Sequence, residues 1–248
     1  MNEAQDYEVL EAFYTAVFRE CMEEHHPISV TALVYDCLRR AYYNAVVPEE
    51  IIDPAGKIRV WVGKKLHETP IFPVHELELE WHGIHGRIDE YDPERRLLMD
   101  KKTTRHIPKE PYEHHVKQLL FYKVLMEHSG YPVEKAVVLY IDVNSTDVAA
   151  YPVDLQNYDM KAVEEEMLEK AEKLRRALKS GILPPRRMSW LCFYCSFFSW
   201  CFLNYMPSVP ERILRMIEGD ETSGHHRGLE EKIWEEDAEG RAVAAGGR

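Results

Sequence analysis

Residues 84–103, IHGRIDEYDPERRLLMDKKT, decide the fold because they combine two strand patterns with a turn. Strand-forming residues cover 84–91 and 96–103. The Asp-Pro-Glu-Arg sequence at 92–95 is typical of a turn, since proline fixes one backbone dihedral there. Apolar and charged residues alternate over 77–81, which predicts a further strand just upstream.

The rest of the chain predicts helices and two more strands around this unit. Helical periodicity covers about 3–24, 29–43, 56–68, 111–128 and 154–180, and strand patterns cover 135–143 and 147–153. This order favours an α/β fold with one mixed β-sheet flanked by helices.

Composition and charge exclude several classes of protein. Among the 248 residues, 31 Lys and Arg oppose 43 Asp and Glu, a formal net charge of −12. No apolar stretch reaches the roughly 18 residues of a membrane span. The acidic N-terminal segment is not typical of a secretory or transit peptide, and no glycine-rich phosphate-binding loop is present. Residues 173–187 nevertheless hold six bases and no acid, a patch that could contact phosphate groups.

Asp89, Asp100 and Lys102 are candidates for a catalytic metal site. Asp100 and Lys102 lie two apart on a predicted strand and so share a face. If Tyr91 faces Arg96 across the turn, Asp89 becomes a diagonal neighbour of Asp100, with Cβ atoms about 7–8 Å apart. Two such carboxylates can share a divalent cation, which suits phosphodiester hydrolysis, and Lys102 would position the hydroxide or stabilise the phosphate. The alternative is a solvated strand face with a local ion pair.

The next predicted helix carries polar residues toward the same region. Gln118 and Tyr122 are four residues apart on one helix face, and His115 lies on that face too. The alternative is an ordinary buried amphipathic helix. The whole string, however, combines Gly-x-x-Asp at 86–89, Asp-x-Lys at 100–102 and Gln-x-x-x-Tyr at 118–122.

This string resembles the RecB-type nuclease core, a restriction-endonuclease-type fold in the superfamily named for its Pro-Asp, Asp/Glu-x-Lys signature. The resemblance implies two metal-binding aspartates, a further histidine ligand upstream, a catalytic lysine, and a glutamine and tyrosine that support the site and contact DNA. In this chain these residues are Asp89, Asp100, His67, Lys102, Gln118 and Tyr122. One departure is that Ile88, rather than proline, precedes Asp89. The implied cation is Mn²⁺ or Mg²⁺.

Three of the five cysteines, Cys192, Cys195 and Cys201, lie within ten residues. The total of five cysteines is odd, which is not typical of a secreted disulfide framework. Metal binding in a reducing cytoplasm is therefore the better interpretation. A fourth ligand is needed. Cys37 is preferred because it follows a Ser-x-Thr-x-Leu helix start and precedes two arginines, whereas Cys21 is interpreted as a small core residue.

Zinc and an iron–sulfur cluster both fit four cysteines. The aromatic residues of 193–202 would shield a cluster from water, which favours iron and sulfur. One cysteine before the core and three after it resembles cluster-binding RecB-type nucleases, namely AddB-like repair nucleases and a stand-alone CRISPR-associated exonuclease family. The chain length and the segment SVTALVYDCLRRAYY at 29–43 resemble the latter family.

That resemblance implies a cytoplasmic metal-dependent exodeoxyribonuclease acting on single-stranded DNA ends, with 5′ to 3′ polarity, to prepare new CRISPR spacers. It implies a cluster of the 4Fe–4S type rather than 2Fe–2S. The implied partners are DNA, mainly single-stranded, and the integrase subunits of the adaptation machinery; no membrane contact is expected and a homo-oligomer is left open. The alternatives are a repair nuclease acting on recombination intermediates and a non-catalytic zinc-binding module that binds DNA.

Four segments are expected along the chain. They are an N-terminal helical region with the first cluster cysteine (1–70), the RecB-like core (71–183), a cysteine segment that closes the cluster and joins the two ends (184–210), and a weakly structured charged tail (211–248).

Overall fold

The structure, a computed structural model, describes residues 7–21, 26–47, 54–222, 235–236 and 242–243. Its α-helices are α1 (Tyr7–Cys21), α2 (Val30–Leu33), α3 (Leu38–Val46), α4 (Pro54–His67), α5 (Glu113–His128), α6 (Met160–Ser180), α7 (Phe198–Phe202) and α8 (Glu211–Thr222). Its strands are β1 (Val74–Trp81), β2 (Ile84–Asp92), β3 (Leu97–Thr104), β4 (Lys135–Asp142), β5 (Val148–Val153), β6 (Glu235–Glu236) and β7 (Ala242–Val243). No helix in these ranges is both long enough and apolar enough to cross a membrane.

The centre of the molecule is a five-stranded mixed sheet in the order β1-β2-β3-β4-β5. Strands β3 and β4 are parallel, and the other neighbours are antiparallel. Parallel neighbours need a crossover connection, and α5 supplies it while packing against the sheet. The predicted mixed sheet flanked by helices is therefore confirmed.

The register of the β2–β3 hairpin differs from the predicted one by two residues. Tyr91 pairs with Leu98, not with Arg96, because the turn occupies 93–96 and Arg96 adopts a left-handed φ of 48°. The Asp92 carboxylate stabilises this turn by accepting the Arg95 N–H at 3.0 Å. Continuing the register puts position 89 opposite position 100 rather than diagonal to it, although backbone pairing stops one residue earlier.

Gly86 allows α5 to approach β2 closely. A Cβ atom at this position would lie 2.5 Å from Leu125 Cδ2 and 3.2 Å from Tyr122 Cε1. Both neighbours are buried, so a larger residue would push the helix away from the sheet. The helix that carries Gln118 and Tyr122 is thus held near the predicted catalytic strands by the absence of a side chain.

The helix predicted over 29–43 is divided in two. Ser29 caps α2 by accepting the Ala32 N–H at 3.3 Å, and the chain then leaves the helical conformation until Cys37, which precedes α3. Asp36 lies in this break, and its carboxylate accepts a bond from Lys170 Nζ on α6 at 3.1 Å. The break removes Cys37 from a helix interior and leaves its side chain half-buried.

The C-terminal part contains more structure than predicted. Residues 211–222 were expected to belong to a weakly structured tail, but they form α8. Ile213 and Ile217 lie four residues apart on one face of this helix, and both are buried in the same hydrophobic cluster as the sheet and the N-terminal helices. Beyond it, the structure describes only the short β6 and β7 pair; the rest of the tail, like positions 3–6 and 22–24 of the first predicted helix, lies outside the described residues.

Candidate active site and cysteine cavity

Asp100 and Lys102 project from one face of β3 and form an ion pair in the interior. Lys102 Nζ lies 3.1 Å from Asp100 Oδ1 with hydrogen-bond geometry. It lies 2.8 Å from Oδ2, but at an angle unsuited to a hydrogen bond, so this buried oxygen has a charge contact and no donor. Burial raises the pKa of the Asp100 carboxyl to about 6, although the Lys102 charge opposes the rise. Burial would lower the pKa of Lys102, but the charges of Asp100 and Asp89 outweigh it and keep the amine protonated.

Asp89 and His67 meet beside this pair. Asp89 Oδ2 accepts the Lys101 backbone N–H at 2.8 Å and lies 3.2 Å from His67 Nδ1. Burial tends to raise the pKa of Asp89, but the His67 hydrogen bond and the charges of His67 and Lys102 lower it overall. The last residue of α4 is thus brought to a carboxylate on β2. That the two residues share a metal ion stays a prediction.

Lys101 and Glu90, which the sequence analysis did not single out, hold the segment that presents His67. Lys101 Nζ lies 2.7 Å from Glu90 Oε1 and donates to the carbonyl oxygens of His67 and Thr69, each at 3.0 Å. Glu90 also accepts backbone N–H bonds from residues 71 and 72. The sequence carried a signal for this second pair. Glu90 follows Asp89 on β2 and Lys101 follows Asp100 on β3, so strand alternation places both on the face opposite the two aspartates.

Glu76 is a further acidic residue that the sequence analysis missed. In the β1–β2 register it faces Asp89, between the pairs His75 with Glu90 and Leu77 with Ile88. One ligand atom each of His67, Glu76 and Asp89 lies within 4.8 Å of the others. Burial and the Asp89 charge raise the pKa of the Glu76 carboxyl, while Arg87, with Nε 3.0 Å from Oε2, lowers it. No local sequence pattern places Glu76 near Asp89, because their proximity depends on the register between β1 and β2.

Gln118 and Tyr122 contact each other on α5, as their spacing predicted. Gln118 Nε2 donates to Tyr122 Oη at 3.0 Å, and both side chains are buried. Burial and the nearby Asp100 charge raise the pKa of Tyr122 to about 12, so its hydroxyl is neutral. His115 instead contacts Tyr140 Oη through Nδ1 at 2.7 Å, and burial lowers its pKa to about 2.

Comparison with known proteins identifies the family. Residues 5–202 match the PD-(D/E)XK nuclease superfamily. The chain belongs to this superfamily. Its fold is also similar to that of a solved protein described as "Crystal structure of SSO0001", with a TM-score of 0.53 and 22% identity over 82% of this chain and 98% of that chain. Among curated proteins, none matches. Members of the PD-(D/E)XK superfamily are nucleases that use divalent metals of the Mg²⁺ or Mn²⁺ type, so membership indicates a metal-dependent nuclease.

The candidate site of this PD-(D/E)XK protein suits such a cation. It combines carboxylate oxygens of Asp89 and Asp100 with the His67 imidazole, donors that bind Mn²⁺ and Mg²⁺. The Asp100 oxygen without a donor is a buried polar atom that a cation would satisfy. A bound cation would polarise a phosphate group and lower the pKa of a water molecule.

A cavity of about 210 Å³ brings four of the five cysteines together. They are Cys37, Cys192, Cys195 and Cys201. Cys21 instead is buried on α1 and does not line this cavity. The chain therefore returns to the α2–α3 break after the whole nuclease core.

The predicted aromatic shell of this cavity is only partly formed. Phe197 is buried and Trp200 half-buried, and both contact the Tyr43 ring. Phe193 and Tyr194, however, are 87% and 80% exposed. They lie in a short 3₁₀-helix, over residues 190–194, that leaves both rings in solvent.

Arg39 and Tyr43 link α3 to the cysteine segment through protein contacts. Arg39 donates to the Pro184 carbonyl oxygen at 2.7 Å and to Asn204 Oδ1 at 2.8 Å. Tyr43 Oη donates to the Tyr205 carbonyl oxygen at 2.8 Å. The N- and C-terminal segments are therefore joined around the cavity by hydrogen bonds as well as by apolar packing.

A groove of about 610 Å³ adjoins the cysteine cavity and shares Cys37, Arg40 and Arg187 with it. Its wall carries stacked rings. Tyr35 and His114 have centroids 5.2 Å apart, His114 and Tyr112 5.7 Å apart, and the Arg40 guanidinium lies 4.2 Å above the Tyr35 ring. Burial lowers the pKa of His114, and the Lys102 charge lowers it further, so the groove lies within electrostatic reach of the active site.

The basic residues of 173–187 do not form one surface. Arg175 and Arg176 pair with Glu172 on α6 and line neither cavity. Arg186 and Arg187 line the cysteine cavity, and Arg187 lines the groove as well. The separation follows from the end of α6 at Ser180, after which the chain turns through Gly181 with a left-handed φ of 68°.

Proposed function

We propose that this protein is a metal-dependent exodeoxyribonuclease that degrades single-stranded DNA from the 5′ end. The observation that supports this function is the Asp100 and Lys102 ion pair beside Asp89 and His67. One buried Asp100 oxygen in this pair accepts no hydrogen bond. Asp89, Asp100 and His67 bind the cation. A nuclease that hydrolyses phosphodiesters needs this combination of anionic ligands and a fixed positive charge.

Lys102 contributes positive charge rather than acting as a base. Its raised pKa keeps the ammonium protonated at neutral pH, so it donates hydrogen bonds to a phosphate oxygen or orients the attacking water. Tyr122 is neutral, and Gln118 donates a hydrogen bond to its hydroxyl. The resemblance to the RecB-type core supports the proposal that these two side chains hold the site together and contact the DNA backbone. The ion pair of Lys102 with Asp100 and the hydrogen bond of Gln118 with Tyr122 fix these side chains in position.

The groove that His114 lines, where the Lys102 charge acts, supports single-stranded DNA as substrate. Exposed faces of bases stack on aromatic rings and on guanidinium groups, and such platforms bind strands without sequence preference. Tyr35, His114 and Tyr112 offer rings of this kind, and Arg40 and Arg187 offer charges for phosphates. A duplex hides the base faces, which is why this wall favours a single strand.

An iron–sulfur cluster of the 4Fe–4S type is proposed for the cysteine cavity. Zinc and an iron–sulfur cluster both take four thiolates. The rings of Phe197 and Trp200, which pack into the apolar core beside these cysteines, would shield a cluster from water and so favour iron and sulfur. Its role is structural, since hydrolysis needs no electron transfer.

The cellular role that we propose is preparation of DNA for CRISPR spacer acquisition in the cytoplasm, together with the integrase subunits. The support is the arrangement of cysteines, one before the nuclease core and three after it. A repair nuclease would use the same chemistry. Co-purification with the integrase subunits, and loss of spacer acquisition when the gene is deleted, would distinguish the two roles.

The activity is tested with anaerobically purified full-length protein and Mn²⁺ or Mg²⁺. Substrates are linear single strands labelled at either end, a closed circular single strand and a duplex. We expect early release of the 5′ label as short products, gradual shortening of 3′-labelled strands, and an intact circle.

Two variants and a control link this activity to the site. Asp100→Asn and Lys102→Met should each reduce cleavage by at least about a hundredfold, because each removes a charge that acts on the transition state. Glu94→Gln alters an exposed carboxylate in the β2–β3 turn and should cleave normally. Cutting of the circle would contradict exonuclease action, and full activity of Asp100→Asn would contradict the site.

A further inference from the structure

The β1–β2 pair brings a second carboxylate against Asp89. Glu76 faces Asp89 in the strand register and adopts a left-handed φ of 47°, a conformation that a non-glycine residue rarely holds within a strand. Normal alternation would direct Glu76 to the same face as the exposed Glu78. Instead its side chain is only 32% exposed and lies among the groups that line the site.

The group formed with His67 has the chemistry of a cation site. One nitrogen and two carboxylate oxygens lie within 4.8 Å of one another, from His67, Glu76 and Asp89. Two carboxylates this close repel each other unless a positive charge lies between them. Independently, Asp100 contributes a fully buried oxygen without a hydrogen-bond donor, and its carboxyl feels the Asp89 charge.

Two cations of the described residues pair with single carboxylates of this region. Lys102 pairs with Asp100, and Arg87, whose side chain is 46% exposed, pairs with Glu76 through Nε at 3.0 Å from Oε2. Solvent reaches the Arg87 side of this ion pair and screens it, so Arg87 can release the carboxylate at modest cost. A divalent cation binds the same oxygen far more strongly.

We propose that Glu76 is a protein ligand of the divalent cation, together with His67 and Asp89, and that Arg87 holds its carboxylate when the cation is absent. The inference rests on the proposed nuclease function in that it concerns the same cation. It adds a ligand from β1 to those on α4, β2 and β3. A set of protein ligands that includes an imidazole suits Mn²⁺ better than the strongly hydrated Mg²⁺.

The test measures Mn²⁺ binding to the full-length protein by electron paramagnetic resonance of free Mn²⁺, without DNA. Glu76→Gln should weaken Mn²⁺ binding at least tenfold and reduce the Mn²⁺-induced rise in Tm. Arg87→Ala should bind Mn²⁺ as tightly as the parent or a few-fold more tightly. Glu94→Gln removes one exposed carboxylate from the β2–β3 turn and should bind normally.

Other variants separate this inference from the proposed function. If Asp89→Asn loses Mn²⁺ binding while Glu76→Gln retains it, Glu76 is not a ligand and the nuclease site stands. If both variants bind Mn²⁺ like the parent, the metal site itself is wrong. Glu76→Asp retains the carboxylate, so recovery of part of the affinity distinguishes ligation from a folding defect. Failure of Glu76→Asp to bind better than Glu76→Gln would overturn the proposal.

Discussion

Lys101 and Glu90 form an ion pair that water does not reach, with Nζ 2.7 Å from Oε1 and side chains that are 2% and 0% exposed. Lys101 lies between Asp100 and Lys102 in the sequence but on the opposite face of β3. One strand therefore supplies a candidate catalytic pair on one face and an anchoring pair on the other. Through the His67 carbonyl, the anchoring pair positions the end of α4.

The anchoring pair should dominate stability in this region. Removing one partner leaves a buried charge unpaired, so Lys101→Met and Glu90→Gln should each lower the free energy of unfolding by about 3–5 kcal/mol. The double variant Lys101→Met with Glu90→Leu should be more stable than either single variant, since it leaves no isolated charge. Urea unfolding of the three proteins measures this. Single variants that lose less than about 1 kcal/mol would show that the pair is dispensable.

Gly86 should tolerate no side chain. Gly86→Ala forces Leu125 and Tyr122 to shift, and such overpacking costs about 1–3 kcal/mol. Cleavage should fall as well, because the helix that carries Gln118 moves. Gly86→Ala combined with Leu125→Ala should restore part of the activity.

Gly219→Ala serves as the matched control for Gly86. An added Cβ there meets nothing within 4 Å, and alanine favours a helix over glycine by up to about 1 kcal/mol. Stability of this variant should equal or exceed that of the parent. Equal losses in the two glycine variants would contradict the close approach of α5 to β2.

Stability should depend on pH through Asp100. Its ordinary pKa is 3.8, whereas burial raises it to about 6 in the folded protein. The folded state therefore holds this proton more tightly than the unfolded state, and metal-free stability should decline as pH rises through about 4 to 6. A cation offsets the charge that forms, so Mn²⁺ should raise Tm more at about pH 7.5 than at about pH 5. Asp100→Asn should reduce this difference; its persistence would assign the effect to another group.

The two N-terminal cysteines should behave differently. Cys37→Ala should remove the iron and the visible absorbance and lower Tm, because a metal centre ties α3 to the C-terminal segment. The contacts of Arg39 and Tyr43 should keep this variant folded. Cys21→Ala should retain iron, since that thiol is buried on α1. Iron and sulfide analysis on both proteins decides the matter, and zinc without iron in the parent would reject the cluster.

The arginines of the groove should contribute more to DNA binding than those of α6. Changing Arg40 and Arg187 together to alanine should weaken single-strand binding and reduce the log–log salt slope by about 0.7 for each phosphate that the protein no longer neutralises. Arg175→Ala with Arg176→Ala removes the same charge from α6, outside both cavities, and should leave the slope unchanged. Equal effects of the two double variants would mean that the DNA follows another path.

The local pattern of residues was sufficient to predict most elements of the fold. Periodicity, the turn between β2 and β3 and the helix stop at Gly181 are consequences of bonds and dihedrals between near neighbours. The pairing of Asp100 with Lys102 follows from strand alternation alone, and that of Gln118 with Tyr122 from helix geometry. Local alternation did not distinguish a register shifted by two residues, because a shift of two leaves every side chain on the same face.

Tertiary structure alone decided which distant groups meet. Glu76 reaches Asp89 only because β1 and β2 align in one register, and Cys37 reaches Cys192 only because α3 packs beside the C-terminal segment. The separation of Arg175 from Arg187 likewise depends on where the chain turns after α6. Such meetings depend on packing between elements far apart in the chain, which no periodicity within one element encodes. The raised pKa of Asp100 has the same origin, since burial by surrounding elements, rather than sequence neighbours, is its main cause.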